Sequence, residues 1–183
     1  MSKTMTAIQI AQSNLEDLTV NFFRQSEGEW KSQRRYYTLQ GENEPEEVIS
    51  LIQIEFLEQD HPELFKLAKS HDLEEKTLLV AGSRVTWESN YVAKSRKPSR
   101  GSTVFGILGN VLYRDRGFAT PKPIKAGLRF TNPQTMCLKT EYNGNVFEEE
   151  LKLIGDNYRT RQTIISRAGE EIMIGQYLEK RIV

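Results

Sequence analysis

Residues Glu27-Gly28-Glu29-Trp30 sit at the joint between two periodicities. Upstream, Ala11 to Gln25 places Leu15, Leu18, Phe22 and Phe23 at spacings near three and four, which predicts a helix with one apolar face. Ser13 followed three residues later by Glu16 is a candidate capping box for its start. Downstream, Glu29 to Leu39 alternates with the period of a strand. A glycine at the joint frees the backbone for a tight helix-to-strand turn, and Trp30 is placed to plug the end of a sheet that closes on itself. With strand-like sequence filling most of the remaining chain, the expected architecture is an up-and-down antiparallel β-barrel with an N-terminal accessory helix. A barrel of this kind can enclose one small ligand.

The rest of the chain supports a meander. After the polar turn Gly41–Glu46, Val48 to Gln59 reads as a second strand. His61-Pro62-Glu63 then opens a short helix ending near Ser70, with Pro62 suited to a first helical turn and Leu64, Phe65, Leu67 and Ala68 as its apolar side. Further strands are expected over Thr77–Ser89, Ser102–Tyr113, Ile124–Thr131, Gln134–Tyr142, Asn145–Leu153, Tyr158–Ser166 and Glu171–Lys180. Turn signals separate them, among them Asp115-Arg116-Gly117, Asn132-Pro133, Asn143-Gly144 and Gly155-Asp156-Asn157. No repeat, linker or low-complexity tract interrupts the 183 residues, so one domain spanning 1–183 is expected.

Charge and cysteine content narrow the function classes. The 25 basic and 25 acidic residues cancel, leaving no global field to recruit nucleic acid or an anionic membrane. No apolar run approaches the roughly 20 residues of a membrane span, and the first residues lack the basic-then-apolar pattern of a secretory signal. The single Cys137 precludes an internal disulfide and fits a reducing compartment. The expected location is the cytoplasm.

The common enzyme signatures are missing: no Gly-rich phosphate loop, no G-x-S-x-G, no C-x-x-C and no H-E-x-x-H. His61 and His71 lack metal-ligand spacing and read as solvated surface residues, while Cys137 between Met136 and Leu138 reads as a small core or wall residue and not as a nucleophile. No metal is expected. What remains are polar residues that alternation places on apolar faces. Glu149 shares a face with Phe147, Leu151 and Leu153; burial there would raise its pKa, unless it forms an internal ion pair with an arginine. Arg159 and Arg161 lie on one face of the following strand with Thr163, about 7 Å apart. They form either a clamp for a ligand with two carboxylates or a solvated basic stripe. Trp87 shares a face with Leu79, Ala81 and Val85, and Arg34 with Trp30, Ser32 and Tyr36. Such an interior suits a polar, aromatic ligand better than a fatty acid. The basic loop Lys94–Arg100 is either a solvated hairpin tip or a contact for an acidic partner.

Three blocks together resemble one family. Phe22 through Tyr37 (FFRQSEGEWKSQRRYY), Val85-Thr86-Trp87-Glu88, and Asn157 through Thr163 (NYRTRQT) are similar, in order and spacing, to the S-type phycobiliprotein lyases, the CpcS/CpeS family. The resemblance spans essentially the whole chain. It implies a lipocalin-like barrel that binds a linear tetrapyrrole, phycocyanobilin or phycoerythrobilin, as substrate with no permanent cofactor. It further implies a phycobiliprotein subunit as acceptor, whose cysteine takes the bilin as a thioether. By the same resemblance Arg159 and Arg161 match arginines associated with the bilin propionates, Trp87 an aromatic of the pocket, Glu149 an acid near the pyrrole nitrogens, and Arg34 and Tyr36 the polar wall of the first strand. The family includes members that act as one half of a heterodimer, so a homodimer and a heterodimer with a homologue both stay open. A non-catalytic carrier of a bilin or another apolar ligand, and a helper subunit, are the competing readings.

Overall fold

A computed structural model describes residues 7–93 and 96–182. Ten antiparallel strands close into a ring: β1 (Gly28–Thr38), β2 (Glu46–Leu57), β3 (Ala81–Tyr91), β4 (Ser99–Leu108), β5 (Val111–Arg114), β6 (Ile124–Asn132), β7 (Thr135–Tyr142), β8 (Asn145–Ile154), β9 (Tyr158–Arg167) and β10 (Glu170–Ile182). Each pairs with its sequence neighbours, and β1 pairs with β10, Trp30 opposite Arg181 and Tyr36 opposite Gly175. The expected barrel is the observed one, and no edge strand is left unpaired.

Helix α1 (Ala7–Ser26) lies over one end of the ring, against β2, β3, β4 and β6. It starts before the expected Ala11, so Ser13 sits inside the helix and not at its start. Phe22 and Phe23 are buried with Ile107, Leu112, Leu128, Met136, Leu138 and Leu153, closing that end of the barrel with apolar side chains. At the joint Gly28 has φ 125°, a conformation costly for any other residue. Trp30 is fully buried and donates its indole N–H to the Ser26 carbonyl at 2.9 Å, satisfying one of the free acceptors at the helix C-terminus. Arg181 completes the joint: its guanidinium donates to the carbonyls of Gln25 and Glu27 and lies 4.2 Å from the Trp30 ring.

Helix α2 (Pro62–Ser70) packs on the outside of β4 and β5 through Leu64, Leu67 and Ala68. The paired glycines Gly82 and Gly106 give it room; a β-carbon on Gly82 would run into Leu64 and the Phe105 carbonyl, and one on Gly106 into Leu79 and Leu67. The two histidines are not the free surface residues expected. His61 is the N-cap of α2, its Nδ1 accepting from the Glu63 N–H at 3.2 Å. His71 follows the helix, with Nε2 2.9 Å from the Arg114 carbonyl and its ring edge-on to Tyr113, and burial pushes its pKa down.

Two strand limits differ in kind. The segment Ser102–Tyr113, expected as one strand, is two: β4 and β5 joined by the tight connection Gly109-Asn110, with Gly109 at φ 60° and its N–H accepted by Glu16 of α1 at 2.6 Å. A two-residue Gly-Asn connection is a hairpin signal, here buried in an otherwise unbroken apolar run. The strand expected from Thr77 begins at Ala81, because Thr77 closes a turn back to Glu74.

Candidate functional site

The barrel encloses a cavity of ≈ 370 Å³, floored by Phe22, Phe23 and Ser26 of α1. At its other end lie Tyr91, Ser99 and Arg116-Gly117-Phe118, residues flanking or within the β3–β4 and β5–β6 connections. Apolar wall residues such as Val48, Ile52, Leu112 and Met136 alternate with hydroxyls and guanidiniums. Arg34, Tyr36, Trp87, Arg159 and Arg161, five of the seven residues singled out in the sequence, line this one space. The odd-numbered positions of β9 face inward as the clamp arrangement requires, and Gln162, between two of them, is exposed.

Each arginine is held differently. Arg159 is buried, donates from Nε to Glu179 at 2.5 Å and lies 5.1 Å from the Trp30 ring. Ser32 donates to the other Glu179 oxygen at 3.1 Å. Arg161 is hydrogen-bonded to Glu149 and sits 5.1 Å from the Tyr177 ring, which Arg34 also approaches at 5.3 Å. Tyr177 stands edge-on to Tyr36 at 5.8 Å. The pocket therefore presents cations seated on aromatic faces, an arrangement that desolvates guanidiniums while keeping them charged.

Glu149 and Thr163 are the two remaining residues of that set, and neither lines the cavity surface. Glu149 is buried behind two guanidiniums, Arg161 on one side and Arg114, at 3.2 Å, on the other. Its pKa is not raised. Burial pushes the carboxyl up, but Arg161 and Arg114 together outweigh it and hold the group below the usual carboxylate range. Of the two alternatives open from the sequence, the internal ion pair is the one observed. Thr163 is buried one step further along β9, opposite Glu149, and its hydroxyl has no hydrogen-bond partner among the described residues. Glu179 is likewise held ionised: burial raises its pKa, and Arg159 brings it down.

Three contributors escaped the sequence reading. Glu179 and Tyr177 share an inward face of β10, and the same alternation that exposed Glu149 marks them. Arg114 was hidden because the fused β4–β5 segment ends one residue before it. Cys137 lies on the opposite face of β7 from the cavity residues Met136 and Leu138, buried, its thiol pushed up by burial. No cluster of potential metal ligands occurs among the described residues. Of the loop Lys94–Arg100, Lys94 and Ser95 lie outside the described residues; Arg96 and Arg100 pair with Glu46 and Glu88 at the surface.

The chain as a whole is similar to known proteins. A Nostoc sp. protein provisionally named phycocyanobilin lyase CpcS 2 is 63% identical over 92% of this chain and 93% of its own. A Picosynechococcus sp. protein provisionally named chromophore lyase CpcV is 52% identical over 88% of this chain and 80% of its own. The phycocyanobilin lyase subunit CpcS from the same genus is 30% identical over 81% of this chain and 78% of its own. The solved S-type phycobiliprotein lyase CPES of Guillardia theta superposes with a TM-score of 0.74 over 98% of this chain and 99% of its own; at 22% identity it attests to the fold. The profile of the CpeS-like protein family matches residues 19–182, so the chain with this arginine-lined barrel belongs to that family.

Proposed function

We propose that the chain is a bilin lyase: it binds a linear tetrapyrrole in the barrel and promotes its attachment to a cysteine of a phycobiliprotein subunit. The observation that carries this reading is the convergence of Arg34, Arg159 and Arg161 with Trp87, Tyr36 and Tyr177 on one cavity. A planar conjugated ligand with two propionates needs both aromatic faces and fixed cations, and guanidiniums bind carboxylates bidentately. Phycocyanobilin or phycoerythrobilin fits this chemistry, and the protein supplies no cofactor of its own.

In this reading the chemistry is an addition. The thiol of the acceptor cysteine adds across the exocyclic double bond of the bilin's terminal ring: sulfur bonds to the ethylidene carbon, the double bond is lost, and the proton ends on the neighbouring ring carbon. No group leaves and no oxidant is needed. The barrel contributes orientation, exclusion of water and preorganised charge. Glu149, ionised behind Arg161 and Arg114 and not itself lining the cavity, acts in this reading on a protonated pyrrole system through the charge of that cluster and not by direct contact. Thr163 supports the same wall. The acceptor docks over the mouth formed by the β3–β4 and β5–β6 connections. Among the described residues no cysteine lines the cavity, which agrees with an attacking thiol that belongs to the acceptor. We place the reaction in the cytoplasm; no helix among the described residues is long and apolar enough to cross a membrane.

Co-expression with a bilin-producing pathway and a phycobiliprotein subunit tests the reading. A coloured acceptor that keeps its chromophore after denaturation is the expected result. Colour on this chain without transfer would make it a carrier; colour on neither, recovered when a homologue is added, would make it a helper subunit.

A further inference from the structure

We propose that Arg114 is a ligand-binding residue, and that with Arg161 it forms a seat for one carboxylate of the bound molecule. The inference rests on the bilin reading and names the groups that select its acidic side chain.

Arg114 is the last residue of β5 and reaches the cavity wall from the side of the barrel remote in sequence from Arg159 and Arg161. Its position is tightly defined. The guanidinium lies 4.9 Å from the Phe105 ring, Nη1 donates to Glu149 at 3.2 Å, and the backbone carbonyl is bonded by His71 beyond α2. Yet its hydrogen bonding is incomplete. The Nε atoms of Arg114 and Arg161 are both buried, and neither has a partner among the described residues. A guanidinium presents five N–H donors, and leaving one buried and unpaired costs stability. Native proteins rarely tolerate that at two facing side chains without a reason.

Charge points the same way. Arg159 has Glu179 to itself, whereas Arg114 and Arg161 share the single carboxylate of Glu149. The shared pair therefore has one directly bonded carboxylate for two guanidiniums in a buried wall, where like charges repel strongly, with Asp115 and Glu179 acting on them only from further off. Burial and the neighbouring Arg161 disfavour the charged form of Arg114 and together outweigh Glu149, Tyr142 and Asp115, which favour it. One further carboxylate, arriving with the ligand, neutralises the excess and supplies acceptors for spare donors on both guanidiniums. Glu149 then acts as the bridge that holds the two arginines at the spacing of a carboxylate seat.

The test is a titration with two probes, phycocyanobilin and its dimethyl ester, which differ in the carboxylates and keep the same chromophore. The parent is expected to prefer the free acid. Arg114→Gln should weaken the acid roughly tenfold to a hundredfold and leave the ester unchanged, with Arg114→Lys between the two because an ammonium lacks the planar fork. Glu149→Gln, which removes the competing anion, should widen the preference for the acid. Equal weakening of acid and ester in Arg114→Gln would make Arg114 a structural counterion of Glu149 and overturn the proposal. If that variant does not fold, the neutral double variant Arg114→Gln/Glu149→Gln is titrated in its place; undiminished preference for the acid overturns the proposal there as well. A parent that binds acid and ester alike refutes the carboxylate seat while sparing the bilin reading. A parent that binds neither refutes both.

Discussion

Two glutamates are buried in ion pairs within the barrel wall, and their titration is tied to folding. The arginines beside Glu149 and Glu179 hold both carboxyls below their ordinary value of about 4.3. A depressed folded-state pKa adds stability that is complete above the unfolded value and drains away as pH falls through the folded one. The urea midpoint should therefore drop steeply as pH is lowered below roughly 4, while Glu179→Gln flattens that drop and lowers stability at neutral pH. Removing one partner of a buried pair typically costs about 3–5 kcal/mol, because Arg159 is left charged and buried. Urea unfolding at a series of pH values checks this, and an unchanged pH slope in the variant would count against it. On the same wall, Arg159→Leu or Arg161→Leu should each weaken bilin binding roughly tenfold to a hundredfold, with partial rescue by Lys. Substitution at Thr160 or Gln162, which point away from the cavity, should change little. Equal affinity across all four would mean that the ligand sits elsewhere. Glu149→Gln should weaken or blue-shift the absorbance of bound bilin and slow transfer, measured by spectral titration and a transfer time course.

At the level of the elements, glycines decide where helices and aromatic rings can come close. Gly101 of β4 faces Trp87 of β3 so tightly that a β-carbon would overlap the indole. Gly101→Ala should push Trp87 into the cavity and cut ligand affinity while the barrel stays folded; tryptophan fluorescence and bilin titration report both halves of that expectation. The elements also show what a single sequence can disclose. The α1-to-β1 change of period and the shared face of Arg159, Arg161 and Thr163 were readable because each is a local pattern several residues long; which way that face points was not, because Tyr158 and Ile164 put apolar surface on the other side. The β4–β5 hairpin carries a local signal as well, Gly109-Asn110, but apolar residues on both sides make the segment read as one continuous strand. Missing that turn concealed Arg114. The direction of the Glu149 shift was unreadable for a related reason: burial is visible from its own strand, whereas the arginines that together outweigh it arrive from β9 and from β5, the second distant in sequence. The histidines failed differently, as capping depends on where α2 packs.

For the whole molecule, the decisive feature is that the ring is sealed by its first and last strands. β1 finds half of its hydrogen-bond partners only on β10, and Arg181 of β10 fastens the α1–β1 joint around Trp30. A ribosome delivers these two strands at opposite ends of the job. Until β10 emerges, β1 and β9 present raw edges able to recruit any extended peptide nearby, including another nascent copy. Contacts this remote also make for slow closure. Shielding during synthesis, by a chaperone or by early collapse onto Phe22 and Phe23, thus matters more for this protein than its final stability would suggest. Refolding followed by Trp30 fluorescence should show late burial of the indole, and a version cut before β10 should aggregate instead of forming a nine-stranded barrel.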